Sequence, residues 1–306
     1  MIDLSFVIPV FNEEHTLKEL HAKILEDIGD KSYEIIFIND GSTDNSYSVL
    51  KEIAEYDRNV KIINFRRNFG KSAALQAGFN KAQGEIVITM DADLQDDPAE
   101  IPRFIQKINE GYDLVAGWKK HRKDPISKKI PSKIFNTATS LIFKLKLHDY
   151  NCGFKAYRKE AVKSIDIYGE LHRYIPALVK AKGFKICEIP VHHHRRRHGK
   201  SKYGMERFVR GFLDLLTVMM ITKYERSPLY LFGIGGLIIA GIGLVINIYL
   251  AILKIFFGVP LGNRPLLFLG ILLVLVGIQF ISIGLIGEMI VYTSRRISKN
   301  NHNKNS

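Results

Sequence analysis

At 306 residues, with 46% hydrophobic and 25% charged, the chain is too long for one minimal domain and large enough to bury a core, which implies a globular domain with something appended. The formal net charge of +13 concentrates in residues 119–129 (KKHRKDPISKK) and 192–202 (HHHRRRHGKSK). In a chain that also carries long apolar segments, such clusters argue against nucleic acid and for anionic headgroups or a phosphorylated lipid.

The opening MIDLSFVIPV has no basic leader and no cleavage site, so it reads as a strand and not as a signal peptide. Four strand-then-helix pairs follow from it: LSFVIPV with a helix from about Glu14, EIIFIND with a helix near Asn45, VKIINF with a helix from Lys71, and EIVITM with a helix from Pro98. Short β-rich runs alternating with helical periods predict βαβ crossovers and a mostly parallel, Rossmann-like α/β sheet. After Gly117 the pattern changes to a basic loop, a helix over about 128–147, the segment DYNCGFKAYRK, a helix around 171–182 and the strand FKICEIPV. These form the acceptor half of the domain. Cys152 and Cys187 are the only cysteines, and reduced packing residues are expected in preference to a disulfide.

Over residues 203–224, Phe208, Phe212, Leu215, Leu216 and Met219 recur at helical spacing with Arg207, Arg210 and Asp214 between them. Such a segment either lies in a membrane interface or packs on the domain. Residues 229–253 and 266–292 are apolar all round and glycine-rich. Each exceeds the roughly 20 residues that cross a hydrocarbon core, which favours a transmembrane hairpin over buried core helices. Arg295, Arg296 and Lys299 after the second span, with the basic stretch before the first, place both termini and the globular domain in the cytoplasm. Gly233, Gly236, Gly241 and Gly243 permit close helix approach and so a homo-oligomer through the hairpins, which small residues alone do not prove. The expected division is a globular domain at 1–202, a juxtamembrane helix at 203–227, two spans within 228–293 and a polar tail at 294–306.

In a parallel sheet, ligands sit beyond the carboxyl ends of the strands, and there the acidic residues gather: Glu13 and Glu14, then Asp40, then Asp91 and Asp93. The pair in MDADLQDD suits one divalent ion and the pyrophosphate it holds, with oxygen donors favouring Mg²⁺ or Mn²⁺. Asp40 is placed to accept from a base or ribose, and Gly41-Ser42 to let backbone approach closely; taken alone, DGSTD is equally a capped strand-to-helix turn. His192, His193, His194 and His198 do not predict a zinc site, because neighbours on a strand point to alternate faces and no cysteine lies at zinc-finger spacing.

In this order, IPVFNEE, NDGSTDNS, RRNFGKSAALQAGF, DADLQDDP, DYNCGFKAYRK and RRRHGKSKYG resemble family 2 glycosyltransferases of the GT-A fold. The narrower resemblance, over nearly the whole chain, is to the polyprenyl-phosphate glycosyltransferases, the group of dolichol-phosphate mannose synthase and bacterial enzymes with a two-helix C-terminal anchor. It implies that Pro9, Asn12, Glu13 and Asp40 line the nucleotide pocket, that Asp91 meets the donor, and that Asp93 with Gln95, beside Asp91, holds the metal. It places Asp149 at the catalytic position, and Arg196, Ser201 and Lys202 on a loop that grips the donor diphosphate. Arg122 and Lys133 are candidates for the lipid phosphate.

A phosphate monoester is already largely deprotonated at neutral pH, its second pKa being about 6. Asp149 is therefore expected to orient the acceptor or steady positive charge at the anomeric carbon instead of acting as a general base. The implied reaction is metal-dependent, inverting transfer of a sugar from a nucleotide sugar, UDP-glucose or UDP-N-acetylglucosamine favoured, to undecaprenyl or a similar polyprenyl phosphate for cell-envelope glycosylation. Competing readings are a transferase acting on another membrane acceptor such as a glycolipid, and a non-catalytic scaffold that binds nucleotide sugar or lipid. A processive synthase is disfavoured by the two spans and the lack of a QxxRW motif, and a transporter by the lack of central charges in the spans, Glu288 lying near an end.

Overall fold

The computed structural model describes residues 2–120, 136–137, 139–194, 206–224, 227–261 and 264–304 and divides into two units, Met1–Val218 and Met219–Ser306. Within the first unit β1 (Leu4–Val10), β2 (Tyr33–Asn39), β3 (Val60–Asn64) and β4 (Ile86–Thr89) are mutually parallel. They continue into β5 (Leu114–Trp118), β6 (Lys155–Arg158) and β7 (Ile186–Pro190), giving the order β3-β2-β1-β4-β6-β5-β7. β6 is inserted antiparallel between β4 and β5, while β7 pairs parallel with β5. The sheet is covered on both faces, so β1 and β2 carry unbroken apolar runs that are almost wholly buried.

The helices follow their apolar spacing. α1 (Leu17–Asp27) buries Leu17, Leu20, His21 and Ile24, one face at i, i+3, i+4 and i+7. His21 is tolerated there because its Nε2 lies 2.8 Å from Asp57 Oδ2. α2 (Ser46–Tyr56) and α3 (Lys71–Lys81) return β2 to β3 and β3 to β4. α3 sits so close to β1 that a Cβ on Gly78 would lie 2.2 Å from Val7 Cγ1. Asp97 accepts the Ala99 N–H at a 3-10 turn, Pro98–Glu100, and opens α4 (Ile101–Asn109). The α4 stripe of Ile101, Phe104, Ile105 and Ile108 is buried, each side chain contributing about 1.5–3 kcal/mol. α5 (Lys159–Lys163), a second 3-10 turn, Leu171–Tyr174, and α6 (Ile175–Ala181) complete the cover.

Two expectations change. β5 and β6 were not foreseen as strands, LVAGW and KAYR being too short to show an alternation. The helix expected over about 128–147 ends at Phe143 among the described residues. There Lys144 turns the chain with a φ of 51°, and Leu145 and Leu147 fold inward onto Tyr150. Both cysteines are free thiols.

α7 (Glu206–Lys223) runs across the division between the units. In the second unit, α8 (Pro228–Phe257) and α9 (Pro265–Lys304) pack as a hairpin. Within Pro228–Phe257 and Pro265–Ser294, 18-residue stretches reach mean hydropathies of 2.4 and 2.8, and both segments are long and apolar enough to cross a membrane. Leu237, Val245, Phe256, Phe268 and Met289 face outward. Contact between the helices falls to small residues: a Cβ on Gly236 would lie 2.6 Å from the Gly277 carbonyl, and one on Gly243 2.6 Å from that of Gly270. Of the four glycines expected to permit helix approach, these two are committed inside the hairpin. Gly233 meets Leu229 of its own helix, and Gly241 has nothing within 4 Å. Glu288 accepts the Leu229 N–H at 3.4 Å, setting a carboxylate against the first turn of α8.

Candidate active site

The carboxyl ends of β1 and β2 carry two loops that interlock. Asn12, in the left-handed region at φ 58°, accepts the Thr43 N–H at 2.8 Å and donates its own N–H to Ser42 Oγ at 3.0 Å. The Glu13 N–H reaches Ser46 Oγ at 3.0 Å, and Glu14 Oε2 accepts the Asn45 N–H at 2.8 Å. IPVFNEE and NDGSTDNS therefore form one shelf, with half-buried Pro9 on its strand.

Asp40, expected to accept from a base or ribose, also serves the fold. It is buried, and its two oxygens accept the backbone N–H groups of Phe69 and Gly70 at 2.7 and 3.0 Å. Burial pushes its carboxyl up, and the two N–H donors counter that. Gly41, at φ 68°, lies so near the same loop that a Cβ would stand 2.4 Å from the Arg67 carbonyl carbon. Asp40 thus ties the RRNFG loop to the shelf.

Beyond β4, Asp91 forms an ion pair with Lys71 at the start of α3. Its carboxylate also lies against Gly153, where a Cβ would stand 2.6 Å from Oδ2. The Thr89 hydroxyl donates to the Gly153 carbonyl at 2.7 Å. The DAD turn and the segment DYNCGFKAYRK are therefore in direct contact. In that segment Asp149 is buried and accepts the Asn151 N–H at 3.0 Å. Lys155 is buried too and donates to the Cys152 carbonyl. Burial pushes its ammonium below the usual lysine range, against the pull of negative neighbours that include Asp149 and Asp91. Burial also raises the Cys152 thiol to about 12, which makes it an inert packing group.

Asp93 Oδ1 accepts the Gln95 N–H at 3.2 Å. The next residues pair with the chain leaving β7: His194 N–H donates to the Gln95 carbonyl at 2.8 Å, and the Gln95 amide donates to the His194 carbonyl at 3.3 Å. The histidines alternate, His193 turning in to Asp96 and His194 out to Asp97 at 3.0 Å. Among the described residues no three His, Cys, Asp or Glu side chains converge as a metal site. Asp91, Asp93 and the Gln95 amide offer oxygen donors of the kind that would suit a hard divalent cation.

Lys119 corrects an expectation. Counted with the basic loop as a headgroup contact, it is only 11% exposed, with its ammonium 3.1 Å from Oδ1 of the fully buried Asp96. Burial opposes both charges, yet Lys119 and then His193 hold Asp96 well below the usual carboxylate range, and Asp96 leads the groups that hold Lys119 above the usual ammonium range.

The structure thus brings Asp91, Asp93, Gln95 and Asp149 into connected segments and sets Pro9, Asn12 and Glu13 on the neighbouring shelf. Arg122, Lys133, Arg196, His198, Ser201 and Lys202 lie outside the described residues. Lys71, Lys155 and Gly153 were missed. For Lys155 the signal was a lone charge in the otherwise apolar start of β6.

Residues 5–166 match the model of Glycosyl transferase family 2. Dodecaprenyl-phosphate galacturonate synthase of Rhizobium johnstonii is 39% identical over 302 residues, which span 96% of this chain and 89% of that protein. Undecaprenyl-phosphate 4-deoxy-4-formamido-L-arabinose transferase of Shewanella sediminis is 38% identical over 291 residues, 94% of this chain and 86% of that one. Among solved structures, glucosyl-3-phosphoglycerate synthase from Mycobacterium tuberculosis, in complex with Mn²⁺, UDP and glucosyl-3-phosphoglycerate, aligns with a TM-score of 0.57 at 16% identity. That alignment covers 72% of this chain and 80% of that one, a likeness of fold that agrees with the GT-A class expected from the motifs.

Proposed function

We propose, from the premise that this chain belongs to glycosyl transferase family 2, that it moves a sugar from a nucleotide sugar onto polyprenyl phosphate at a membrane. One observation carries the reading: the similarity to two polyprenyl-phosphate sugar transferases extends over more than nine-tenths of the chain, apolar hairpin included. In this reading residues 1–202 are the catalytic domain, 203–227 the juxtamembrane helix, 228–293 the spans and 294–306 the tail, with the domain and both termini cytoplasmic.

The lipid phosphate oxygen attacks the anomeric carbon, the bond from that carbon to the nucleoside diphosphate breaks, and the diphosphate leaves with the bonding pair. No proton has to move, since the attacking oxygen is already ionised. Pro9, Asn12, Glu13 and Asp40 line the nucleotide pocket, and Asp40 also holds the RRNFG loop beside it. Asp91, aligned by Lys71 and closely backed by Gly153, meets the donor sugar. Asp149 orients the acceptor or steadies charge at the anomeric carbon, and buried Lys155 offsets the repulsion between the two acids. Asp93 and Gln95, beside Asp91, would hold Mg²⁺ or Mn²⁺, which neutralises the departing diphosphate when bound. Arg196, Ser201 and Lys202 would grip that diphosphate, and Arg122 and Lys133 the lipid phosphate. The favoured donors are UDP-glucose and UDP-N-acetylglucosamine; the relatives' names add activated galacturonate and 4-formamido-arabinose to the panel.

The test incubates detergent-solubilised protein with undecaprenyl phosphate, Mg²⁺ or Mn²⁺ and each radiolabelled donor, then extracts the lipid. Metal-dependent label in the organic phase from one donor, lost in Asp93→Ala, is the expected result. Label that appears only when a glycolipid replaces undecaprenyl phosphate as acceptor, or none from any donor with folded protein that binds nucleotide, would overturn the reading.

A further inference from the structure

We propose that Glu188, acting through His148, is a positioning residue for Asp149. The inference rests on the reading of Asp149 as a residue at the reacting centre. Glu188 projects from β7, where it pairs with Ala116 of β5, and only 13% of its side chain is exposed. His148 is the residue before Asp149, and 64% of its side chain is exposed. Solvent-exposed loop residues are ordinarily free to move, yet this one is held at every polar group it has toward the protein.

Its backbone N–H donates to both carboxylate oxygens of Glu188, at 2.9 Å to Oε2 and 3.2 Å to Oε1. Its ring Nδ1 pairs with Oε1 of the same carboxylate, which assigns the proton to Nδ1. Its carbonyl accepts from Asn136 Nδ2 at 2.7 Å. Its ring lies flat on Trp118 at the end of β5, with centroids 4.1 Å apart and planes 15° apart. On the other side of Asp149, the Tyr150 side chain is fully buried and its hydroxyl donates to the Leu145 carbonyl.

Asp149 therefore stands between an outer anchor and an inner one. The inner anchor is apolar burial. The outer anchor is one carboxylate that accepts from both the main chain and the ring of His148, and charge-assisted bonds of this kind are about twice as strong as neutral ones. Losing it frees the peptide that carries Asp149 without touching the shelf at β1 and β2 or the DAD turn. The predicted signature is thus a fall in kcat with donor affinity retained.

The experiment measures lipid-linked product formation, at saturating lipid, for the full-length protein and for Glu188→Gln, His148→Ala, His148→Asn and Asp149→Asn. Glu188→Gln and His148→Ala are each expected to lower kcat about 10-fold, in line with the cost of misplacing a reacting group, and to leave the donor KM within about 2-fold. His148→Asn places an amide N–H where Nδ1–H was, so it is expected to recover most of the lost kcat. A merely structural role would move donor KM and thermal stability together with kcat and would not distinguish Asn from Ala. The exposed His148 pair still decides the matter if Glu188→Gln does not fold. Inactive Asp149→Asn alongside undiminished turnover in Glu188→Gln and His148→Ala would overturn the anchor and leave the Asp149 reading standing. Full turnover in Asp149→Asn would overturn both.

Discussion

The sheet unit and the hairpin unit use the same apolar side chains in opposite directions. In Met1–Val218, Phe6, Phe37, Phe79 and Phe104 are wholly enclosed. In Met219–Ser306, Phe256, Phe257 and Phe268 are among the most exposed large hydrophobic residues described, while the helices touch through Gly236, Gly243, Gly270 and Gly277. In water, burial of apolar area drives the first arrangement. Lipid tails are as apolar as leucine, so the second arrangement has no such drive and depends on close backbone approach. Polar groups follow the same division: the sheet unit buries charges against ion-pair partners or backbone groups, as at Asp96 with Lys119 and at Asp40, whereas the hairpin turns Asn247 onto Gly270 and Glu288 onto the start of α8.

The largest expected effect that would break this contrast is at the buried pair in the sheet unit. Lys119→Met or Asp96→Asn should cost about 3–5 kcal/mol, because each strands a charge away from water. The chain has a single tryptophan, Trp118, so denaturant unfolding followed by its fluorescence reads this unit. In the unaltered protein the Asp96 carboxyl is held low and the Lys119 ammonium high. The stability from Asp96 is fully present above its unfolded pKa, about 4, and that from Lys119 below its unfolded pKa, about 10.4, so the pair adds no pH dependence between them. In Asp96→Asn the unpaired, buried Lys119 binds its proton less tightly than in the unfolded chain, so stability should rise from pH 6 to pH 9 (roughly the span where the unfolded lysine is fully charged).

Next come steric tests, one in each unit. Gly153→Ala drives a methyl into the Asp91 carboxylate, and about 1–3 kcal/mol of stability should be lost with a fall in turnover of about 10-fold or more. Gly277→Leu meets Ala240 and the Gly236 carbonyl. It should destabilise the hairpin by about 1–3 kcal/mol, read from helicity in a detergent titration, while nucleotide binding stays unchanged. The smallest effect sharpens the contrast: Gly241→Leu, with nothing within 4 Å, should move hairpin stability by no more than about 0.5 kcal/mol. A large loss there would mean that a further surface covers Gly241.

Much of the fold was legible because its signals are local. β1, β2 and β4 carry the apolar runs FVIPV, IIFI and IVI and β3 is a shorter β-branched stretch, while the hairpin helices announce themselves by length and lack of charge. β5 escaped notice because its five residues are indistinguishable from a buried turn of helix, and the helix end at Phe143 because nothing marks Lys144 for a positive φ. At the candidate site, Asp91, Asp93 and Asp149 stood out as motif residues. Their surroundings did not: Lys71 reaches Asp91 across 20 positions, and His148 reaches Glu188 across 40. No spacing rule for helices or strands connects such pairs.

The order of apolar runs, turn glycines and acidic strand ends, all local in the chain, determined an α/β sheet with its acids along one edge and two long apolar helices after it. Only the tertiary structure decided which charges are spent inside. It set Asp40 onto the backbone of the RRNFG loop, Lys119 onto Asp96 and Glu188 onto His148. The physical reason is desolvation: the fold exposes some charges and buries others, and a buried one must find its partner wherever the chain brings one.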